Sequence, residues 1–157
     1  MPDPAADRPL PHNLEAERAV LGAVLLDAEA IHRAVEFIKD TDFFRDAHRR
    51  IFAKMLELAE SRQAIDFITI KDELGRSGDL DQVGGPAYIA SLVDGLPRGV
   101  NVADYARIVK EKSSLRSLIQ SANRVLTSAY QAEDDAGAII DEAEREIFAI
   151  AEGAIHQ

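Results

Sequence analysis

Apolar residues in the last third of the chain recur at alternating steps of three and four. The first such segment, from Asn101 to Tyr130, contains no Gly or Pro, and a polar stretch at 131–135 follows it. Its repeat runs through Tyr105, Ile108, Lys112, Leu115, Ile119, Ala122, Leu126 and Ala129. The second segment repeats the pattern at Ala136, Ile140, Ala143, Ile147 and Ile150, before Gly153. This heptad-like spacing predicts two helices in an antiparallel hairpin, with Asn101 as the first N-cap.

The first predicted arm has more apolar surface than one partner helix can cover. A second apolar line, formed by Val102, Val109, Leu118 and Val125, flanks the first. At 1.5 Å per residue the arm would be roughly 43 Å long, whereas a globule of the preceding hundred residues has a radius of gyration of about 13 Å. We therefore expect a projecting hairpin that a second chain covers in part. For any single residue, packing within the hairpin and contact between chains both stay open.

The remaining sequence predicts an all-α fold, with a small multi-helix globular domain before the hairpin. Four of the six prolines lie within residues 1–11, which predicts a disordered leader. We assign residues 12–100 to the globular domain, 101–153 to the hairpin, and 154–157 to a tail or the start of a linker. Gly153 is the expected C′ residue of the last helix.

Short signals place the helices of the globular domain. Asn13 is a candidate N-cap for a helix through Leu26, and a second long helix is expected from about Asp46 to Ser61. Thr69 and Asp72 resemble a capping box for a short helix, and Pro86 suits the first turn of another. The stretch 65–69 is strand-like but too short and solitary to make a sheet.

Composition narrows the function classes. The hydrophobic fraction of 46% and charged fraction of 29% are typical of a globular protein, and the absence of Cys excludes disulfides and thiolate metal sites. No apolar run approaches a membrane span. The net charge of −10 argues against a domain that grips nucleic acid by itself.

Charge is divided unevenly between the predicted arms. Residues 101–130 carry five basic and two acidic groups, whereas residues 131–157 carry eight acidic groups and one basic group. Two solvated helix faces would explain this division. Alternatively, opposite charge helps the arms to pair, with each exposed pair contributing only roughly 0.2–1 kcal/mol.

The sequence contains no pattern that indicates catalysis. The phosphate-binding motif G-x-x-x-x-G-K-[ST] is missing. His48 lies near Asp42 and Asp46, which could form a metal site, but a helix cap beside a surface histidine is the simpler interpretation. Ser113 and Ser114 have no base in register on their helix. We therefore expect neither an active site nor a bound cofactor in this segment.

Five segments in series carry a resemblance to a known family. They are PHNLEAERAVLGAVLLD from Pro11, DFFRDAHRRIF from Asp42, VGGPAYIASL from Val83, NVADYARIVKEKSSLRSLI from Asn101 and DEAEREIFAI from Asp141. In order and spacing they resemble the N-terminal domain of DnaB-type bacterial replicative helicases, from Pro9 to about Glu152. Phe44 stands where that family more often has Tyr. The chain looks like this domain separated from its ATPase domain near a natural boundary.

The resemblance implies a non-catalytic domain of a hexameric, cytoplasmic bacterial helicase. In that family, hairpins pair between subunits, and three pairs build a ring collar that docks the helicase-binding domain of a DnaG-type primase. ATP, Mg²⁺ and most DNA contact would belong to the missing ATPase domain, and no membrane partner is expected. The implied oligomerisation residues are Tyr105, Ile108, Leu115, Ile119, Ala122, Leu126, Ile140 and Ile147. The implied primase-docking residues are Glu15, Tyr88, Ile119 and Val125.

Two other function classes stay open from the sequence. The helicase-binding domain of a primase resembles this fold and has a similar hairpin, although the first and third quoted segments favour the helicase. A stand-alone helical interaction module is the other alternative; if it bound nucleic acid, the acidic charge would disfavour it.

Overall fold

The computed structural model describes residues 8–97 and 99–155, and these residues form an all-helical protein. Within that part of the chain there is no β-strand, which confirms the predicted fold class. The helices are α1 (Leu14–Leu26), α2 (Ala30–Ala34), α3 (Asp46–Glu60), α4 (Phe67–Ser77), α5 (Gly85–Ser91), α6 (Val102–Gln131) and α7 (Ala136–Ile155), with a 3₁₀ turn at Asp40–Asp42.

The described residues divide into two compact units. Residues 13–110 form the first, here called the globular unit, and residues 8–12 with 111–155 form the second, here called the hairpin unit. The division falls about ten residues later than the predicted boundary at Asn101. The reason is that the first turns of α6 contribute Val102, Ala106 and Val109 to the buried core of the globular unit.

The core of the globular unit forms where α1 packs on α3. Val20, Leu21 and Val24 are fully buried on α1, as are Ile51, Phe52 and Met55 on α3. Their spacings of three and four residues place each set on one helix face. This packing confirms the predicted apolar stripe and fixes the two helices from which the polar network described below is built.

Gly22 lets α1 approach the chain after α5 closely. A Cβ at this position would lie 2.2 Å from the carbonyl oxygen of Leu92, closer than any real Cβ contact. Only glycine fits this approach without a backbone shift.

The start of α1 is capped as predicted, because Asn13 Oδ1 accepts a hydrogen bond of 2.9 Å from the Ala16 amide.

The segment around Thr69 differs from its predicted structure. As expected, the strand-like stretch 65–69 forms no sheet, but the predicted capping box between Thr69 and Asp72 is wrong. Helix α4 begins at Phe67, because Asp66 accepts from the Thr69 amide at 2.9 Å while Thr69 Oγ1 accepts from the Asp66 amide at 2.9 Å. This reciprocal cap satisfies two amides that the helix start leaves free.

The hairpin unit contains the later turns of α6, a short turn, and α7. Ala132 ends α6 in the left-handed region with φ of 48°, and Asp135 caps α7 by accepting from the Ala138 amide at 2.8 Å. Helix α7 continues through Gly153 to Ile155. The predicted stop at Gly153 is wrong, because this glycine keeps a negative φ and so does not form a left-handed cap.

The proline-rich start of the chain is described from residue 8 onward. Of the predicted disordered leader, residues 1–7 lie outside the described residues. Arg116, whose side chain is buried within the hairpin unit, donates a hydrogen bond of 2.8 Å to the Pro11 carbonyl oxygen. This hydrogen bond attaches residue 11 to α6, and the predicted disorder of the leader stays a prediction.

Candidate protein-interaction surfaces

The hairpin unit presents a row of large apolar side chains to solvent. Leu126 and Ile140 are more than half exposed, at 56% and 57%, and Tyr130 reaches 84%. The other exposed large apolar residues of this unit are Leu115, Leu118, Ile119, Ile147 and Phe148. Isolated exposed apolar residues are ordinary, but a contiguous group on one element marks an interaction surface.

Of the eight predicted oligomerisation residues, five belong to this exposed set, and Ala122 is exposed beside them. Leu115, Ile119, Ala122, Leu126, Ile140 and Ile147 are all exposed within the hairpin unit. Tyr105 and Ile108 instead lie half-buried against the core of the globular unit. They differ because the first turns of α6 belong to that unit, so these two residues are not part of the exposed hairpin surface.

Between the two arms, the hairpin uses smaller and half-buried side chains. Val125 on α6 and Ile139, Ala143 and Ile150 on α7 are half-buried, and Ser121 is almost fully buried. Val125 was predicted on an exposed patch away from the helix-pairing face. The structure corrects this placement, because Val125 lines the same groove as Ile139 and Ala143.

An ion pair links the arms near the middle of this face. Arg124 Nε lies 3.3 Å from Glu146 Oε1, and Arg124 also donates to Ser121 Oγ at 2.9 Å. The pair joins basic α6 to acidic α7, as the charge pattern allows. Glu146 Oε2 is buried without a hydrogen-bond partner, so the pair fixes the register of the arms at some energetic cost.

An apolar groove of about 620 Å³ runs along the hairpin between α6 and α7. Glu144 is the single ionisable residue in its lining, and the groove is open to solvent. Its apolar walls come from Val125, Ala129, Ile139, Ile140, Ala143, Ile147, Phe148 and Ala151. A groove of this chemistry suits the apolar face of another helix.

A buried polar network occupies the globular unit and ends at Tyr88. Glu17 and His48 are 1% and 0% exposed, and Glu17 Oε1 lies 2.8 Å from His48 Nδ1. His48 Nε2 lies 2.6 Å from the hydroxyl of half-buried Tyr88, whose ring stacks on the imidazole. Since a carboxylate can only accept, His48 Nδ1 donates to Glu17, and His48 Nε2 lies within hydrogen-bond distance of the Tyr88 hydroxyl.

The same carboxylate also caps the start of α3. Glu17 Oε2 accepts a hydrogen bond of 2.7 Å from the Phe44 amide, and Oε1 accepts a longer one of 3.4 Å from the Arg45 amide. One side chain on α1 therefore accepts from two backbone amides just before α3 and from the His48 side chain within it. The structure thereby corrects the interpretation of His48 as a surface residue beside Asp42 and Asp46.

Sequence reasoning missed Glu17 as a structural residue and treated it as a charge near a helix start. A signal was present, because Glu17 precedes Val20, Leu21 and Val24 by three, four and seven residues. That spacing places it on the buried stripe of α1.

Within the described residues, no group of three His, Cys, Asp or Glu side chains could hold a metal ion.

Two arginines flank Tyr88. The guanidinium of Arg45 lies 5.1 Å from the ring centroid of Tyr88, and that of Arg18 lies 5.9 Å away. Glu15, the other docking candidate of this unit, is exposed and lines a shallow pocket with Arg18 and Tyr105. Glu15 and Tyr88 thus belong to the globular unit, while Ile119 and Val125 belong to the hairpin unit.

Asp46 is the charged group beside this site with a displaced pKa. Arg50 donates to its carboxylate at 2.7 Å and holds the pKa of Asp46 below its ordinary value of 3.8, and Arg49 acts in the same direction. Arg49 and Arg50 therefore both pair with Asp46.

Comparison with known proteins places these features in a family. Residues 9–111 match the model of the DnaB-like helicase N-terminal domain. The chain belongs to this family. The N-terminal domain of DnaB helicase from Mycobacterium tuberculosis superposes with a TM-score of 0.85 at 34% identity, covering 90% of this chain and 99% of that one.

Longer members of the DnaB family match over nearly the whole chain. The replicative DNA helicase DnaB of Geobacillus stearothermophilus is 42% identical over 94% of this chain and 32% of its own length. The replicative DNA helicase DnaC of Bacillus subtilis is 38% identical over 97% of this chain and 34% of its own. The chain therefore spans about a third of these relatives.

A second solved structure, that of a longer helicase, also matches this chain. A solved DnaB-like replicative helicase, described with its interactions with primase, superposes with a TM-score of 0.72 at 26% identity. It covers 88% of this chain and 31% of that one. These matches confirm the resemblance to the DnaB N-terminal domain and favour it over a primase domain.

No helix of the described residues is long and apolar enough to cross a membrane.

Proposed function

We propose that this chain acts as the non-catalytic N-terminal domain of a replicative DNA helicase, where it associates subunits and docks primase. The observation that carries the proposal is the row of exposed apolar residues on the hairpin unit of a DnaB-family domain. ATP hydrolysis with Mg²⁺, and the contact with DNA, are assigned to the remaining two thirds of such a helicase. The bacterial relatives support a cytoplasmic location.

Subunit association is proposed to bury the exposed hairpin row against a second copy. Burying one Leu or Ile side chain contributes about 1.5–3 kcal/mol. Leu115, Ile119, Leu126 and Ile140 are 37–57% exposed, so burying their exposed parts would contribute about 3–6 kcal/mol towards an association cost of about 4–15 kcal/mol. A pair of hairpins joined in this way is the unit from which a trimer of dimers would form the hexameric collar.

Primase docking is proposed to use residues from both units. Ile119 and Glu15 are exposed and can contact a partner directly, and half-buried Tyr88 presents an aromatic edge. Val125, which was expected to contact primase directly, would instead contribute as part of the wall of the apolar groove. The likeness to a helicase described with its interactions with primase supports this assignment.

Isothermal titration with the purified helicase-binding domain of the primase from the same organism tests the docking proposal. We expect saturable binding, weakened at least tenfold by Ile119→Asp, because hot-spot losses begin at about 2 kcal/mol. Ile68→Asp is the matched control, since Ile68 is 71% exposed on α4 of the globular unit. An unmutated chain that does not bind would contradict primase docking, and equal losses in both variants would contradict the role of Ile119.

A further inference from the structure

Two arginines of the globular unit lack the carboxylate partner that neighbouring arginines have. Arg49 and Arg50 on α3 pair with Asp46, and Arg50 also pairs with Asp79 at 2.6 Å. Arg18 and Arg45 form no ion pair within the described part of the chain, and both are exposed. In a protein with a net charge of −10, unpaired cations at one place are unexpected.

These arginines are held around one aromatic ring. Arg45 donates a long hydrogen bond of 3.4 Å to the Tyr88 hydroxyl, and Arg18 donates one of 3.4 Å to the Ser91 carbonyl oxygen. Both guanidinium groups lie within 6 Å of the Tyr88 ring centroid, where a cation is attracted to an aromatic ring. Long contacts of this kind leave most N–H donors of both guanidinium groups free for another acceptor.

The Tyr88 ring is held in place by neighbouring residues of the globular unit. The Tyr88 hydroxyl is tied to buried His48, and His48 is tied to buried Glu17. At the other end of the side chain, Gly84 lies so close that a Cβ there would come within 2.8 Å of Tyr88 Cβ. A ring held at both ends keeps the two guanidinium groups in place without a bound partner, which lowers the ordering cost of binding.

We propose that Arg18, Arg45 and Tyr88 form a recognition site for a carboxylate-bearing segment of a docking protein. Guanidinium groups match carboxylates by paired N–H donors, and the fixed aromatic ring supplies apolar contact for the methylenes of an Asp or Glu side chain. The inference rests on the proposed docking function and names the chemistry that one part of the docking surface recognises.

Nucleic acid fits this site less well than a protein carboxylate. Glu15 and Asp94 line the same pocket as Arg18, so a chain of phosphates crossing it would meet two like charges. Affinity for nucleic acid comes from several phosphates neutralised together, and only two unpaired cations are present here. A carboxylate needs only one pair of N–H donors, which either guanidinium group can supply.

The first arm of the test measures binding of the primase helicase-binding domain at low and moderate salt. We expect the double variant Arg18→Gln with Arg45→Gln to bind about tenfold more weakly at low salt and to lose most of the salt dependence. Arg76→Gln is the matched control, an exposed arginine on α4 that pairs only with Asp72. Unchanged affinity in a folded double variant would overturn the inference while leaving the docking proposal intact.

The second arm works without primase. Nuclear magnetic resonance would follow the Arg Nε–H signals of the full chain during titration with a peptide of alternating Glu and Gly, its Gln counterpart, and an oligothymidylate of equal charge. Saturable shifts of the Arg18 and Arg45 signals with the Glu peptide alone support the inference. No shift, or a stronger response to the oligothymidylate, overturns it, and neither result depends on whether primase binds.

Discussion

Replacing Glu17 by Ala removes the acceptor on which the polar network of the globular unit depends. In the native chain this 1% exposed carboxylate accepts from the Phe44 amide at 2.7 Å and from His48 Nδ1 at 2.8 Å. The variant leaves both donors buried, and each unsatisfied buried donor costs about 1–3 kcal/mol. Breaking a buried pair by removing one partner costs about 3–5 kcal/mol in comparable cases, so we expect a loss near 4 kcal/mol.

Urea and thermal denaturation followed by far-ultraviolet circular dichroism would measure this loss. For a chain of this size, 4 kcal/mol corresponds to a decrease in Tm of roughly 8–16 °C. Glu15→Ala is the matched control, because Glu15 lies two residues away, is exposed, and contributes at most about 1 kcal/mol as a charge near the helix start. A Glu17→Ala variant within 1 kcal/mol of the native chain would refute the network as a source of stability.

Four further substitutions test local features. Gly22→Ala should destabilise the protein by about 1–3 kcal/mol through overpacking, whereas Gly75→Ala, with open space around its Cβ, should stabilise α4 by up to about 1 kcal/mol; urea denaturation compares them. Ala132→Gly should relieve a left-handed residue by roughly 1 kcal/mol in the same assay, and a loss of stability would contradict this. A nuclear magnetic resonance titration should give Asp46 a pKa below 3.8, rising in Arg50→Gln. Because the pKa of Asp46 is lowered on folding, its ion pair stabilises the folded chain above pH 3.8, and this stabilisation disappears as the pH falls through the folded pKa. An unshifted pKa of Asp46 would contradict this prediction.

Helix positions were predictable where a local pattern and a cap agree. The Asn13 cap, the stripe of α1 and the long repeat of α6 each follow from residues close in sequence, and the structure confirms all three. Near Thr69 the sequence favoured a capping box with Asp72, which is not the one observed. Asp66 caps the helix instead, because its reciprocal hydrogen bonds with Thr69 satisfy two amides at once.

Features that depend on distant contacts were less predictable. The pairing of Glu17 with His48 joins residues 31 positions apart, and only the packing of α1 on α3 brings them together. Similarly, one repeat runs through Tyr105 and Leu126, yet the first lies against the globular core and the second is exposed. Periodicity reports the face of a helix, but it does not report which neighbour covers that face.

Sedimentation equilibrium of the chain over a wide concentration range tests the central claim that a second copy covers the hairpin row. We expect concentration-dependent self-association of the unmutated chain, and a folded monomer with native helix content for Leu126→Asp, because Leu126 is 56% exposed in the single chain. Ile68→Asp should associate like the unmutated chain. A concentration-independent monomer for the unmutated chain, or a Leu126→Asp variant that associates normally, would contradict the assignment of this surface.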